Sequence, residues 1–221
     1  LQSGARVLEC TVPVKCKGDV LHFAYGRLRD RGYDAFCVFD ADNVVHPQFL
    51  QEMNNAYQWG ARAAQGYRDS KNPYDSPVSG CSSLYYWMMN RFHNQGKAGL
   101  GLSALLGGTG FMISSSALEQ IGGWDTRSIS EDLEMSAQCA LADVPIAWVP
   151  RAITYDEQPL TFQESLKQRR RWTSGTLQVA AGWVPTLMRR MVERPAGAVL
   201  DMGVTMLIPP YQAAALASMV V

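Results

Sequence analysis

The sequence has no surplus of charge of either sign: over 221 residues, 20 Lys and Arg balance 20 Asp and Glu. Nucleic-acid-binding domains carry a basic excess, so that class of partner is not expected. Histidine is scarce, and His22, His46 and His93 lie too far apart for a local imidazole metal site. Five cysteines, Cys10, Cys16, Cys37, Cys81 and Cys139, are odd in number and form no C-x-x-C pair. That argues against a disulfide framework or a thiolate zinc site and suits a reducing compartment. The chain also lacks an opening methionine, a signal peptide, internal repeats and low-complexity tracts.

What is present is apolar content of 47%, enough to build one domain with a real core. Residues 17–29 read as a helix with Val20, Leu21, Ala24 and Leu28 on one side. Ala35–Phe39 is short, apolar and aromatic, the pattern of a strand buried on both faces as in a parallel sheet. Pro47 suits the start of the next helix and Gly60 its end. Further strands are expected at 61–66, 110–114 and 145–149, and helices at 82–93, 130–142 and 161–181, with a loop at 69–79 and a glycine-rich segment at 95–110. Alternating strands and helices predict an α/β fold on a largely parallel sheet.

Asp40-Ala41-Asp42 leaves the carboxyl end of the first strand, where open α/β sheets bind ligands. Two carboxylates at i and i+2 suit a hard cation such as Mg2+ or Mn2+, which takes oxygen ligands and shares them with a diphosphate. The same FDADNV stretch matches the D-x-D-x-V pattern of haloacid-dehalogenase-like phosphatases, in which Asp40 would be the nucleophile. Ser130-Glu131-Asp132 opens a helix, with Ser130 suited to the N-cap and carboxylates favoured in the first turn. A carboxylate there can also accept the proton of an attacking hydroxyl, and Asp132 is the candidate base, with Glu131 beside it. Thr161-Phe162-Gln163-Glu164 is a capping box that starts a helix. On that helix Gln168, Arg171 and Trp172 share one face: a guanidinium grips diphosphate and an indole offers a flat apolar face to a sugar. Tyr155, Asp156 and Glu157 precede it and are placed to line an acceptor path.

The series FDAD, SED and QRRRW resembles the D-x-D, T-E-D and Q-x-x-R-W motifs of family 2 glycosyltransferases, the group of cellulose, chitin, hyaluronan and poly-N-acetylglucosamine synthases. The resemblance runs from about Lys17 to about Thr176. It implies a GT-A fold, a Rossmann-like mostly parallel sheet flanked by helices, with an inverting mechanism and a divalent metal, Mg2+ or Mn2+. On that resemblance Asp40 and Asp42 hold the metal and diphosphate, Asp132 is the base, and Arg171 joins Lys17 and Asp19 in binding the nucleotide sugar. Gly108, Thr109, Gln168 and Trp172 are then the acceptor side. Ser130 replaces the usual threonine. The family's first strand lies upstream of Lys17, so this chain is expected to be a piece of a longer enzyme, and a non-catalytic fragment is one alternative to the transferase. Gly99–Ala104 fits G-x-G-x-x-A but follows no buried strand, so a flexible loop is expected there.

The expected organisation is a catalytic domain over 1–181, an amphipathic interface helix over 182–195 and a partial transmembrane segment over 196–221; a core helix is the alternative for the second piece and a buried hairpin or core helix for the third. Trp183, Leu187, Met188, Met191 and Val192 line one side of the second piece and Arg189, Arg190 and Arg194 the other. The third carries Asp201 as its one charge but is interrupted by Pro209-Pro210. Basic residues flanking a span stay cytoplasmic, so the expected partners are a nucleotide-sugar donor, a glycan acceptor and a membrane whose cytoplasmic face carries the catalytic domain.

Overall fold

A computed structural model describes residues 4–218, with side chains described to residue 208. Five strands, β1 (Ala35–Val38), β2 (Val44–Val45), β3 (Ala63–Ser70), β4 (Phe111–Ser114) and β5 (Ile146–Asp156), form one sheet in the order β1-β4-β3-β5-β2. Eight α-helices surround it among the described residues: α1 (Lys17–Leu28), α2 (Phe49–Gln58), α3 (Pro77–Met88), α4 (Gln95–Gly99), α5 (Ser115–Ile121), α6 (Glu131–Leu141), α7 (Phe162–Glu193) and α8 (Gly197–Ser218).

The expectation of a largely parallel sheet is corrected. Only β3 and β5 run parallel; β1 with β4, β4 with β3 and β5 with β2 are antiparallel. An apolar strand pattern marks burial on both faces, which a parallel sheet and a covered antiparallel one share. The strand buried along its whole length is β4, between its two antiparallel neighbours β1 and β3, whereas β1 buries only Val38 fully. Covering by helices on both faces makes a strand apolar, whichever way its neighbours run.

Three apolar clusters hold the layers. Phe111, Ile113, Leu118, Trp124, Met135 and Ile146 fill one side of the sheet under α5 and α6. Phe49 and Met53 of α2 pack on Ala64, Met112 and Ala152 on the other. Phe49 is fully buried, edge-on to Phe39 at 4.9 Å, and burying such a ring contributes on the order of 2–3 kcal/mol. The third cluster joins α6, α7 and α8 through Ala137, Val179, Leu187, Val199, Met202 and Met206.

The sequence boundaries at 181 and 195 do not appear as helix breaks at the first of them. α7 runs through 182–193 without interruption, with Pro185 inside it. Its Trp183, Leu187 and Met191 pack into the third cluster, so the side expected to lie on a membrane is covered by α6 and α8; Met188 and Val192 stay exposed. The expected transmembrane start is α8, whose Val199, Met202 and Met206 are buried in the same cluster. Among the described residues no helix is long and apolar enough to cross a membrane. Residues 219–221 of the expected segment lie outside the described residues. Strand β3 extends to Ser70 and β5 to Asp156, both beyond the predicted ends, and α3 begins at Pro77 because Ser76 and Ser79 make a reciprocal cap.

Candidate active site

The chain leaves β1 and turns at Asp40–Asn43, closed by the Asn43 amide donating to the Asp40 carbonyl at 3.1 Å. The Asp40 amide donates to Thr109 Oγ1 and Asn43 Oδ1, each at 3.1 Å. Its carboxylate pairs with the Lys17 ammonium, which also donates to the Gly108 carbonyl at 2.6 Å and lies 4.0 Å from Glu131. One lysine at the start of α1 therefore joins both acidic motifs. Asp42 is exposed on the turn and does not line the cleft beside it. Asp19, expected on the nucleotide, instead accepts from the Lys15 and Cys16 amides at 2.7 and 3.1 Å and caps α1. Those bonds hold its carboxyl below the usual range.

The cleft has a volume of about 470 Å³ and brings together Lys17, Asp40, Gly108, Glu131, Asp132, Gln168, Arg171 and Trp172. Thr109 is missing from its lining: fully buried, it spends its hydroxyl on Asn43 and on the Asp40 amide, so it supports the acidic turn rather than facing an acceptor. Glu131 and Asp132 form the first turn of α6. Burial, and then the neighbouring Asp132, push Glu131 up to about 7. Burial raises Asp132 as well, against the pull of the Leu133 amide and Arg68. A carboxylate poised toward neutrality is suited to taking and returning a proton. Gly108 has φ +81°, and a Cβ there would lie 3.2 Å from Asp132 Oδ2, so glycine keeps the space before the acid open. Ser130 sits at the N-cap but makes no side-chain cap hydrogen bond.

Helix α7 closes the other wall. Trp172 is nearly parallel to Tyr85 at 6.3 Å and edge-on to Tyr86 at 6.2 Å. Arg169 lies over Tyr85 at 5.5 Å. Gly175 lets α7 approach the start of α6, for a Cβ there would fall 2.1 Å from Ser130 Oγ. Glu134 ties the segment before α6 to α7: it accepts from the Arg127 and Ser128 amides at 2.9 and 2.8 Å and from Trp183 Nε1 at 3.3 Å.

Sequence reasoning passed over Asn43, Gln65, Arg68, Tyr85 and Tyr86, all of which serve the cleft. Asn43 stands one place after the D-x-D and had a local signal; Arg68 lay beyond the predicted strand end, where nothing in its neighbours marks it. Gln65 is buried and ties the glycine loop, accepting from the Gly107 amide at 2.8 Å and donating to the Thr109 and Gly110 carbonyls at 3.1 Å.

Among the described residues no group of three or more His, Cys, Asp or Glu is placed to hold a metal. The donor set therefore does not fit a cation held by protein alone. A cation that takes only one or two carboxylates and completes its shell with diphosphate and water needs no such group.

The family model for glycosyl transferase family group 2 matches residues 35–220. A probable glycosyltransferase, YdaM, of Bacillus subtilis is 36% identical over 76 residues, which is 34% of this chain and 18% of that protein. A poly-beta-1,6-N-acetyl-D-glucosamine synthase of Staphylococcus epidermidis is 38% identical over 68 residues, 31% of this chain and 16% of that protein. A probable glycosyltransferase of Sulfolobus acidocaldarius is 26% identical over 194 residues, 75% of this chain and 39% of that protein. The chain thus spans well under half the length of the curated relatives it matches.

Proposed function

From the premise that the chain belongs to glycosyl transferase family group 2 and is a glycosyltransferase, we propose that it moves a sugar from UDP to a glycan hydroxyl with inversion, in polysaccharide synthesis at a membrane. The observation that carries the proposal is the convergence on one cleft of the end of β1, the first turn of α6 and the Gln168-Arg171-Trp172 face of α7. Lys17 and Arg171 bring positive charge to the diphosphate, and Asp132 takes the proton of the attacking hydroxyl. That oxygen forms its bond to the anomeric carbon as the bond to the diphosphate breaks on the opposite side, which inverts the centre. Glu131 stands between Lys17 and Asp132 and positions both. Trp172, backed by Tyr85 and Tyr86, offers the acceptor sugar a flat apolar wall. Asp40 and Asp42 are the residues that would hold a Mg2+ or Mn2+ ion, which would neutralise the departing diphosphate.

The membrane part of the proposal rests on surface chemistry. Leu200, Val204, Leu207 and Ile208 of α8 and Met188 and Val192 of α7 are exposed apolar residues, and the exposed Arg189 and Arg194 stand near the end of α7, paired with Glu193 and Asp143. This arrangement suits the cytoplasmic side of a membrane. The phosphatase alternative for Asp40 is set aside by the family match, and Lys17 pairs with that carboxylate.

The experiment is turnover of a panel of UDP-sugars against oligosaccharide acceptors, with the anomeric configuration of the product read by NMR. An inverted product, absent in Asp132→Asn, is expected. A retained configuration, or full turnover without Asp132, would overturn the proposal.

A further inference from the structure

Arg68, whose charge opposes the effect of burial on Asp132, and Asp156 take no direct part in the transfer proposed above, yet they join both sides of the cleft. Arg68 lies two residues before the end of β3 and Asp156 ends β5, and the parallel pairing of these strands sets their ends side by side. Their ion pair is two-pronged: Arg68 Nε donates to Asp156 Oδ2 at 2.7 Å and Nη2 contacts the same carboxylate. The Asp156 side chain is only 7% exposed. The guanidinium stacks on Tyr86 at 4.4 Å.

Each partner then reaches in a different direction. Arg68 Nη1 donates to the Gly107 carbonyl at 2.5 Å, on the loop whose next residue, Gly108, faces Asp132 and accepts from Lys17. Asp156 Oδ1 accepts from Asn43 Nδ2 at 2.9 Å, and Asn43 Oδ1 accepts from the Asp40 amide. Asn43 also takes the Thr109 hydroxyl, closing the circuit back onto the glycine loop.

We propose that Arg68 and Asp156 are positioning residues, one buried ion pair that fixes the Asp40 turn on the donor side to the Gly107–Gly108 wall on the acceptor side. The inference rests on the transferase reading for what the two sides bind, but not for the linkage itself. A buried ion pair is weak evidence for stability, since apolar residues of similar volume replace such pairs with little loss of fold. Gln65 holds the glycine loop independently, so removing the pair leaves the loop attached but free to shift. The pair is therefore retained for registration between two walls, not for holding the sheet.

The test is hydrogen exchange by mass spectrometry on the full chain and on Arg68→Met/Asp156→Leu, with UDP binding in Mn2+ measured on both. Peptides covering 38–44 and 105–110 are expected to exchange about tenfold faster in the double variant, as local opening does. Peptides from α5 and α6 keep the parent rates. UDP affinity falls about tenfold, the effect of one or two lost hydrogen bonds. Parent rates in both peptides would overturn the proposal, and so would uniform acceleration throughout the sheet, which marks a structural clamp. Should the double variant fail to fold, Arg68→Lys keeps the charge and loses the fork; the same two peptides must then accelerate, and their parent rates would contradict the proposal. If the parent itself does not bind UDP, the functional proposal falls while the exchange rates still decide this one.

Discussion

The two acidic pairs reach the cleft from different elements and are held in different ways. Asp40 and Asp42 leave the end of a strand on a turn; Asp40 is half-exposed and paired with Lys17, and Asp42 is exposed. Glu131 and Asp132 occupy the first turn of a helix, shielded by α7 and the glycine loop, and burial raises the proton affinity of both. Accessible carboxylates suit a cation and a diphosphate, which arrive with water to exchange. Sequestered ones suit a proton, since dehydration makes them better bases. The same residue types thus divide into a charge-binding pair and a proton-handling pair through their surroundings.

The comparison breaks most visibly at Asp132. Asp132→Asn is expected to lower the transfer rate by about 10²–10⁴-fold while leaving UDP affinity within about twofold. Equal losses in both, read by initial rates and calorimetry, would make Asp132 a structural residue. Glu131 tests the burial argument without any substrate. With its pKa raised from 4.5 to about 7, the folded protein binds more protons than the unfolded chain between those values. Stability must therefore fall as pH rises through that window, by on the order of 1–3 kcal/mol. Glu131→Gln should flatten that slope, leaving the contribution of Asp132, whose proton affinity burial also raises; denaturant melts from pH 4 to pH 8, about the span of the Glu131 values, check it. An unchanged slope would mean that the carboxylate is hydrated.

Smaller effects sharpen the picture. Trp172→Ala is expected to raise the acceptor KM by about three- to tenfold with donor affinity kept, the loss of one stacking face. Ser130→Ala should change stability by no more than about 0.5 kcal/mol, because the hydroxyl makes no cap hydrogen bond. A loss of 1 kcal/mol or more, the usual result at a working N-cap, would show that the cap forms in solution.

Many of the residues that line the cleft were legible in sequence because D-x-D, S-E-D and Q-x-x-R-W are short patterns with a physical reason for each residue. The capping box at Thr161 and the helix at 131–141 likewise follow from neighbouring residues. Strand direction did not follow, since β4 is apolar through its position between β1 and β3 and not through parallel pairing. Arg68 and Asp156 stand 88 residues apart and meet only because β3 and β5 pair in parallel, so no spacing marks them. Thr109 and Asp19 show the opposite error: a motif position implied contact with a ligand, while the side chains are spent on the Asp40 turn and on capping α1. The helix expected to lie on a membrane over 182–195 failed as a separate element because its apolar side meets α8, a partner invisible in a linear pattern.

The division of labour between the two pairs is tested most directly by calorimetric titration of UDP, with and without Mn2+, into the parent chain, Asp42→Ala and Asp132→Asn. The account predicts Mn2+-dependent binding in the parent, the same in Asp132→Asn, and a loss of about tenfold or more in Asp42→Ala. Binding that ignores Mn2+, or that falls equally in both variants, would contradict it.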